Sequence, residues 1–286
     1  MDEQDWLAGR FEEQRAHLRG VAYRMLGSLS EAEDAVQEAW LRVSRADTGG
    51  VHNLGGWLTT VVARVCLDML RSQRARREDA LEAPGTEPVP SAGRGADPER
   101  EALLAESVGL ALLVVLDTLA PPERLAFVLH DMFAVPFEEI APLVGRTPAA
   151  ARQLASRARR RVQGAAAVPA TELTRQRAVV DAFLGALRRG DFQGLVAVLD
   201  PDVVVRAGDR VIRGAEAWAG GAVTYSRAAR WVQPALVDGS VGLVMAPRGR
   251  LRSVLRFGFA GGKIATVEVV TEPERLATLD LAVLEG

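Results

Sequence analysis

Residues 136–163 read PFEEIAPLVGRTPAAARQLASRARRRVQ, and this stretch decides what kind of fold the chain carries. Residues 136–144 have the apolar spacing of a short helix, Gly145-Arg146 form a tight turn, and Thr147-Pro148 supply an N-cap and a first-turn residue for a second helix. Two short helices joined by a brief glycine-containing turn are the sequence form of a helix-turn-helix. In the second helix Ala151, Leu154, Ala155, Ala158 and Val162 recur at helical spacing and face inward. The opposite face presents Arg152, Gln153, Ser156, Arg157 and Arg160, side chains that reach base edges and phosphates in a DNA major groove. Six arginines and no carboxylate lie between Gly145 and Gln163, a local charge of +6.

That charge is hidden in the totals. Thirty-five basic and thirty-seven acidic residues leave a net charge of −2 over 286 residues, so composition alone advertises no nucleic-acid partner. Residues 78–144 carry −10, residues 1–77 are neutral, and residues 174–286 carry +3, so neutrality is a sum of opposed segments. An acidic stretch ahead of the basic helix discourages binding to arbitrary DNA, because phosphate contacts set non-specific affinity. Lys263 is the sole lysine, a bias toward arginine that a GC-rich coding sequence explains without any function.

Cys66 stands alone, which excludes an intrachain disulfide and a cysteine-based zinc cluster and fits a reducing compartment. His17, His52 and His130 lack metal-ligand spacing, so neither metal nor cofactor is expected. The N-terminus MDEQDWLAGR has no apolar core of a secretory signal. The longest apolar run, residues 108–116, is about half the roughly 20 residues that cross a bilayer. The expectation is a cytoplasmic protein with no membrane partner.

Residues 11–77 have helical periodicity. Ser30 and Glu33 form a capping box opening a helix to about residue 45, a loop occupies 47–53, and a second helix runs from about 56 to 77. Residues 78–98, with Pro84, Pro88, Pro90 and three glycines, read as a flexible linker ending in the helix-starting pair Asp97-Pro98. Helix resumes to about 163, and residues 164–169 break it again. After a helix over about 171–189 the pattern changes to strands at 203–205, 235–238, 243–245, 251–259 and 264–270, with turns at Asp238-Gly239 and Gly261-Gly262. A last amphipathic segment, 273–284, reads as helix. The predicted architecture is multidomain: two all-α domains followed by an α+β domain.

In the helix from Ser30, Ala32, Ala35, Val36, Ala39, Trp40 and Val43 form the inward stripe. Asp34, Gln37, Glu38 and Leu41 form a second line, with a large apolar residue among acids and an amide, which suits a protein partner. Arg71, Arg74, Arg76 and Arg77 end the following helix, where cations stabilise the C-terminus in any case. Cys66 and Trp57 read as core residues.

Two blocks resemble the bacterial extracytoplasmic-function sigma factors. Asp34-Ala-Val-Gln-Glu-Ala-Trp-Leu41 with Gly56-Trp-Leu-Thr-Thr-Val-Val-Ala-Arg64 and Asp68 is similar to their region 2. Leu119-Ala-Pro-Pro-Glu-Arg124, Pro136-Phe-Glu-Glu-Ile140 and residues 147–161 are similar to their region 4. The remainder resembles the SnoaL-like, or NTF2-like, extension of the SigJ-type branch, on Val179-Val-Asp-Ala-Phe-Leu184, Gly190-Asp-Phe192, Leu199-Asp-Pro-Asp-Val203 and Glu272-Pro-Glu-Arg-Leu276. Two elements usual in that branch, Trp-Leu-Pro-Glu-Pro and Asp-Gly-Gly-Gly-Lys/Arg, are replaced here by Glu87-Pro-Val-Pro90 and Ala207-Gly-Asp-Arg210.

The resemblance implies sigma region 2 over 1–77, a linker over 78–98, region 4 over 99–164, a second linker over 165–172 and an NTF2-like cone with a C-terminal tail over 173–286. It implies that Asp34, Gln37, Glu38 and Leu41 dock the coiled coil of the largest subunit of core RNA polymerase. His52, Asn53, Arg64, Arg71 and Arg74 would serve the −10 promoter element, and Arg152, Gln153, Ser156, Arg157 and Arg160 the −35 element. A linker of about 20 residues behaves as a coil of roughly 25 Å. The two elements lie about 70 Å apart, two helical turns of DNA. The linker therefore cannot fix their spacing, and in the free protein the helical domains should collapse together.

NTF2-like cones enclose a pocket, and some are enzymes with an Asp or His base. No histidine follows His130, and Asp181, Asp202, Asp209, Tyr225 and Glu268 form no local motif, so no catalysis is expected. Phe183, Leu187, Trp218, Trp231, Phe257 and Phe259 are expected to line the cone or its core, with an unknown small ligand as a possible occupant. The tail leucines 276, 279, 281 and 284 are expected to pack on the helical domains. The rival to a sigma factor with a fused regulator is an NTF2-like enzyme or ligand sensor joined to a helix-turn-helix DNA-binding regulator.

Overall fold

A computed structural model describes residues 3–46, 50–51, 53–82 and 109–284. The chain divides into two compact units: residues 1–101 with 116–159, and residues 102–115 with 160–286.

The first unit is helical. Helices α1 (Glu3–Leu26), α2 (Leu29–Val43) and α3 (Leu54–Glu82) pack through Leu7, Phe11, Leu18 and Met25 of α1, the alanine-rich face of α2, and Leu58, Val62 and Cys66 of α3. Each large apolar side chain so buried contributes about 1.5–3 kcal/mol. Trp40 stays partly exposed and tilts against Phe11 with ring centroids 5.0 Å apart.

The start of α2 differs from the expectation by two residues. Gly27, at φ +78°, ends α1 in a left-handed turn that a side chain disfavours, so Ser28 is the first extended residue. Its hydroxyl accepts from the Glu31 amide at 3.4 Å, and Ser30 falls inside the first turn. The Glu31 carboxylate accepts instead from Gln73 Nε2 on α3, tying the two helices. Helix α3 continues to Glu82, into the stretch assigned to the linker; the rest of that stretch and the Asp97-Pro98 pair lie outside the described residues.

Further along, α4 (Leu110–Thr118), α5 (Pro121–Phe127) and a π-helical turn (Val128–Met132) precede α6 (Phe137–Val144) and α7 (Pro148–Gln163). In this unit α5, the π turn and α6 pack on α1 and α3. Residues on both sides of the linker stretch thus share one compact body.

The second unit layers α8 (Ala170–Arg189), α9 (Phe192–Val198) and α10 (Ala215–Ala222) on a sheet of β1 (Leu199–Ala207), β2 (Arg210–Arg213), β3 (Val232–Val237), β4 (Ser240–Met245), β5 (Ser253–Ala260), β6 (Lys263–Val270) and β7 (Leu281–Ala282). Strand order is β2-β1-β6-β5-β4-β3-β7; only β1 and β6 run parallel among these pairs. Register shifts after Leu199 and at Gly258 curve the sheet into the wall of a cone. Phe183 of α8 stacks on Trp218 of α10 at 5.3 Å, and Phe257 meets Phe183 edge-on at 5.7 Å.

Both predicted turns are present. Asp238-Gly239 (φ 50° and 79°) and Gly261-Gly262 (φ 57° and 75°) have the paired positive φ of tight hairpins. Gly239 also admits a close approach: its carbonyl accepts from Ala167 N, which a Cβ there would meet at 2.5 Å.

Residues 273–284 are not one helix. A short α11 (Pro273–Thr278) stops, and Leu281 and Ala282 pair with β3 as a buried edge strand. The outer edge of β3 would otherwise expose unpaired backbone groups, and satisfying them outweighs the helical periodicity. Leu281 therefore belongs to the sheet and not to a helix, and Val283 N donates to the Val162 carbonyl at 2.8 Å.

Candidate functional sites

The helix-turn-helix is built as its sequence requires. Gly145 adopts φ +65° to close α6, and Thr147 Oγ1 accepts from the Ala150 amide at 3.2 Å to cap α7. Ala151, Ala155, Ala158 and Val162 are buried, and Leu154 is partly so. Arg152, Gln153, Ser156, Arg157 and Arg160 are all exposed on the other face.

Two recognition-helix arginines are already held by carboxylates. Arg157 Nε donates to Glu123 Oε1 of α5 at 2.6 Å, and Arg159 pairs with Asp131 of the π turn at 2.5 Å. Arg152 lies over the Phe137 ring, 5.2 Å from its centroid. The sequence reading located the acidic charge ahead of this helix but not the pairs. Glu123 and Asp131 lie 34 and 28 residues from their partners, beyond any local spacing rule.

On α2, Asp34, Gln37, Glu38 and Leu41 are all exposed, with Leu41 at 44% among the few exposed large apolar residues. Glu38 pairs with Arg42 at 3.0 Å one turn on, and Arg42 reaches Asp68 of α3 at 3.5 Å. The arrangement holds α2 against α3 and leaves Leu41 free to contact a partner.

For the α3 face, Asn53 Oδ1 accepts from the Gly56 amide at 3.0 Å and so caps the helix. Arg64, Asp68 and Arg71 are exposed at one helical stripe, and Arg74 is exposed one turn further. His52 lies outside the described residues. Trp57 is half-buried, and Cys66 is fully buried. Burial pushes the Cys66 thiol up to about 12, which leaves it protonated and unreactive near neutrality.

Arg124 is a residue the sequence reading used only as part of a motif. It is 2% exposed, and its Nε donates to the Arg24 carbonyl, at 3.3 Å, near the C-terminus of α1. Nη1 reaches Asp117 at 3.3 Å, while Nη2 has no partner among the described residues. Burial pushes the guanidinium pKa down and Asp117 opposes that shift. His17 meets Thr59 Oγ1 at 3.2 Å and Phe133 edge-on at 5.2 Å. A charge abutting the apolar run of residues 125–129 was the available signal.

The second unit encloses a cavity of about 540 Å³, walled by Phe183, Leu187, Trp218, Leu243 and Leu255 among others. Among the described residues no Asp, Glu or His lines it. Of the acid–base candidates only Tyr225 does. Glu268 is engaged by Arg256 at 3.0 Å and by Arg275, which hold its carboxyl below the usual range; the Arg275 hydrogen bond is the larger cause. Asp181 pairs with Arg177, and Asp202 and Asp209 are exposed. Phe257 and Phe259 pack in the aromatic core and Trp231 is half-buried; none of the three lines the cavity.

The sequence also matches known families. Residues 11–76 match Sigma-70 region 2 and residues 109–162 match Sigma-70, region 4. The chain is 33% identical over 288 residues to a probable ECF RNA polymerase sigma factor, SigI, of Mycobacterium tuberculosis, covering 98% of each protein. It is 42% identical over 219 residues to the ECF RNA polymerase sigma factor SigJ of the same species, covering 71% of this chain and 70% of SigJ. The crystal structure of the M. tuberculosis SigJ aligns with a TM-score of 0.45 and 34% identity over 94% of this chain and 97% of that one.

Proposed function

The chain belongs to the extracytoplasmic-function sigma factors of the sigma-70 family, and from that premise we propose how its surfaces divide the work of promoter-directed initiation. As a sigma factor it binds core RNA polymerase and directs it to promoters. The observation that carries the division is the one-sided α7: five base- or phosphate-reaching side chains exposed on a helix without a carboxylate. Arg152, Gln153, Ser156, Arg157 and Arg160 read the −35 element. Asn53, Arg64, Arg71 and Arg74, with His52 in the preceding loop, serve the −10 element, where a base is held out of the stack as the strands part. Asp34, Gln37, Glu38 and Leu41 dock the coiled coil of the largest polymerase subunit.

Free, the first unit is closed. About 145 residues in one compact body have a radius of gyration of roughly 15 Å, too small to read two elements about 70 Å apart. Binding to polymerase must therefore separate α5–α7 from α1–α3, and the Arg124–Arg24 contact is what that separation breaks. The Glu123–Arg157 and Asp131–Arg159 pairs keep the free protein from arbitrary DNA.

The second unit acts as an in-chain regulator rather than an enzyme: among the described residues its cavity has no carboxylate or imidazole to serve as a base. Run-off transcription tests the whole reading. Core polymerase with the full chain should start discrete transcripts from a cognate promoter, and Arg157→Ala should reduce them; no specific transcript would refute it.

A further inference from the structure

The cavity of the second unit is mainly apolar, with Arg210, Arg252, Ser253, Thr271, Thr224 and Tyr225 as its polar lining. Trp218, Phe183, Leu187, Leu243 and Leu255 make its depth apolar. Its charged lining is Arg210 and Arg252, both exposed and without a carboxylate partner among the described residues.

Register puts these arginines on one rim. Arg210 pairs with Ala207 at the end of β1, and Ala207 lies beside Val269 near the end of β6. Val269 faces Leu255 on β5, two residues from Ser253, which pairs with Met245 and follows Arg252. Arg210, Arg252, Ser253 and Thr271 therefore gather at the same edge of the sheet, all lining the cavity. Ser253 is 5% exposed and lines the cavity beside Arg252.

We propose that this cavity binds a small amphipathic anion, with an apolar body among Phe183, Trp218 and Leu243 and a carboxylate-type head held by Arg210, Arg252 and Ser253. A volume of about 540 Å³ falls within the range of small-molecule pockets, and an apolar wall with a few convergent polar groups is their usual construction. A cation is excluded by charge: two guanidinium groups repel it, and no acid among the described residues lines the site. A neutral apolar molecule would leave the charge of Arg210 and Arg252 without a counter-charge. The inference deepens the regulatory reading of the second unit and rests on it for its biological meaning, though not for binding itself.

Calorimetry on the full chain with dodecanoate, dodecan-1-ol and dodecylammonium tests it below their aggregation concentrations. Dodecanoate should bind with a stoichiometry near one and raise the melting temperature. Dodecanol should bind about tenfold more weakly, the value of a charge-assisted hydrogen bond, and dodecylammonium more weakly still. Arg210→Ala with Arg252→Ala, both surface positions, should bring dodecanoate down to the dodecanol level while leaving dodecanol unchanged. Equal affinities for the three probes, insensitivity to the arginine substitutions, or no binding would each overturn the proposal. Run-off transcription without any probe separates the two readings. A chain that transcribes and ignores dodecanoate fails only here; one that binds dodecanoate and starts no transcript fails only as a sigma factor.

Discussion

Arg124 Nε donates to the carbonyl of Arg24 across 3.3 Å and one hundred residues of chain. Arg24 stands two residues before the end of α1, among the carbonyls that a helix leaves without an internal partner. The guanidinium is thus a distant C-terminal cap, and its positive charge suits the negative end of that helix. It joins residues matching region 4 to residues matching region 2 inside one compact unit.

Arg124→Ala should therefore destabilise the first unit by about 1–3 kcal/mol, the cost of leaving a buried acceptor unpaired. The loss stays below that of a severed buried ion pair because Asp117 is 39% exposed and regains water. Denaturant unfolding measures the change, and small-angle scattering should show a larger radius at native conditions. A variant as compact and as stable as the parent would remove Arg124 from the closure.

Glu123→Gln should raise affinity for non-cognate duplex DNA. The Glu123–Arg157 pair is partly exposed and worth only about 0–1 kcal/mol to folding, so stability should hardly change. Arg157 released from it can neutralise one more phosphate, steepening the slope of log affinity against log salt by about 0.9. Fluorescence anisotropy across a salt series checks this. An unchanged slope would mean that the pair does not restrain the recognition helix.

The helix-turn-helix was legible because it is written locally: the glycine, the threonine cap and the alanine stripe lie within 28 residues, and each does in the structure what its chemistry implies. The first and last helical segments were read less well. Ser30 looked like a cap because it precedes Glu33 by three, but the position of Ser28 is set by Gly27's left-handed turn. The tail looked helical because Leu276, Leu279 and Leu284 are suitably spaced, yet the open edge of β3, set some forty residues earlier, claims Leu281. Strand β2, four residues with no buried side chain, offers no period to read. The cavity arginines were invisible for the same reason as β7: only three strand pairings bring Arg210 and Arg252 to one cavity.

Acid should weaken the second unit through Glu268. Its folded carboxyl is held low, chiefly by the Arg275 hydrogen bond and then by Arg256, so its contribution is complete above the unfolded value of about 4.3 and is lost as pH falls through the folded one. Glu268→Gln should flatten that part of the stability–pH curve below about pH 4.3 and cost at most about 1 kcal/mol at neutrality, since the group is 34% exposed. Thermal melts of parent and variant across the acid range measure it. Parallel curves would mean that other carboxylates carry the acid limb.

Leu41→Asp separates folding from docking. Leu41 is 44% exposed and lies outside the buried stripe of α2, so the substitution removes little apolar burial and should change stability by no more than about 0.5 kcal/mol. At a protein interface the same change puts a charge against a desolvated surface, and truncating an apolar anchor there costs about 2 kcal/mol or more. Affinity for core polymerase should then fall by about thirtyfold or more, and run-off transcripts with it, while binding of the isolated chain to a −35 duplex stays the same. Measured together, the three readouts leave a single interpretation each. Loss of duplex binding would indicate a folding defect, and intact polymerase binding would move the docking surface away from Asp34, Gln37, Glu38 and Leu41.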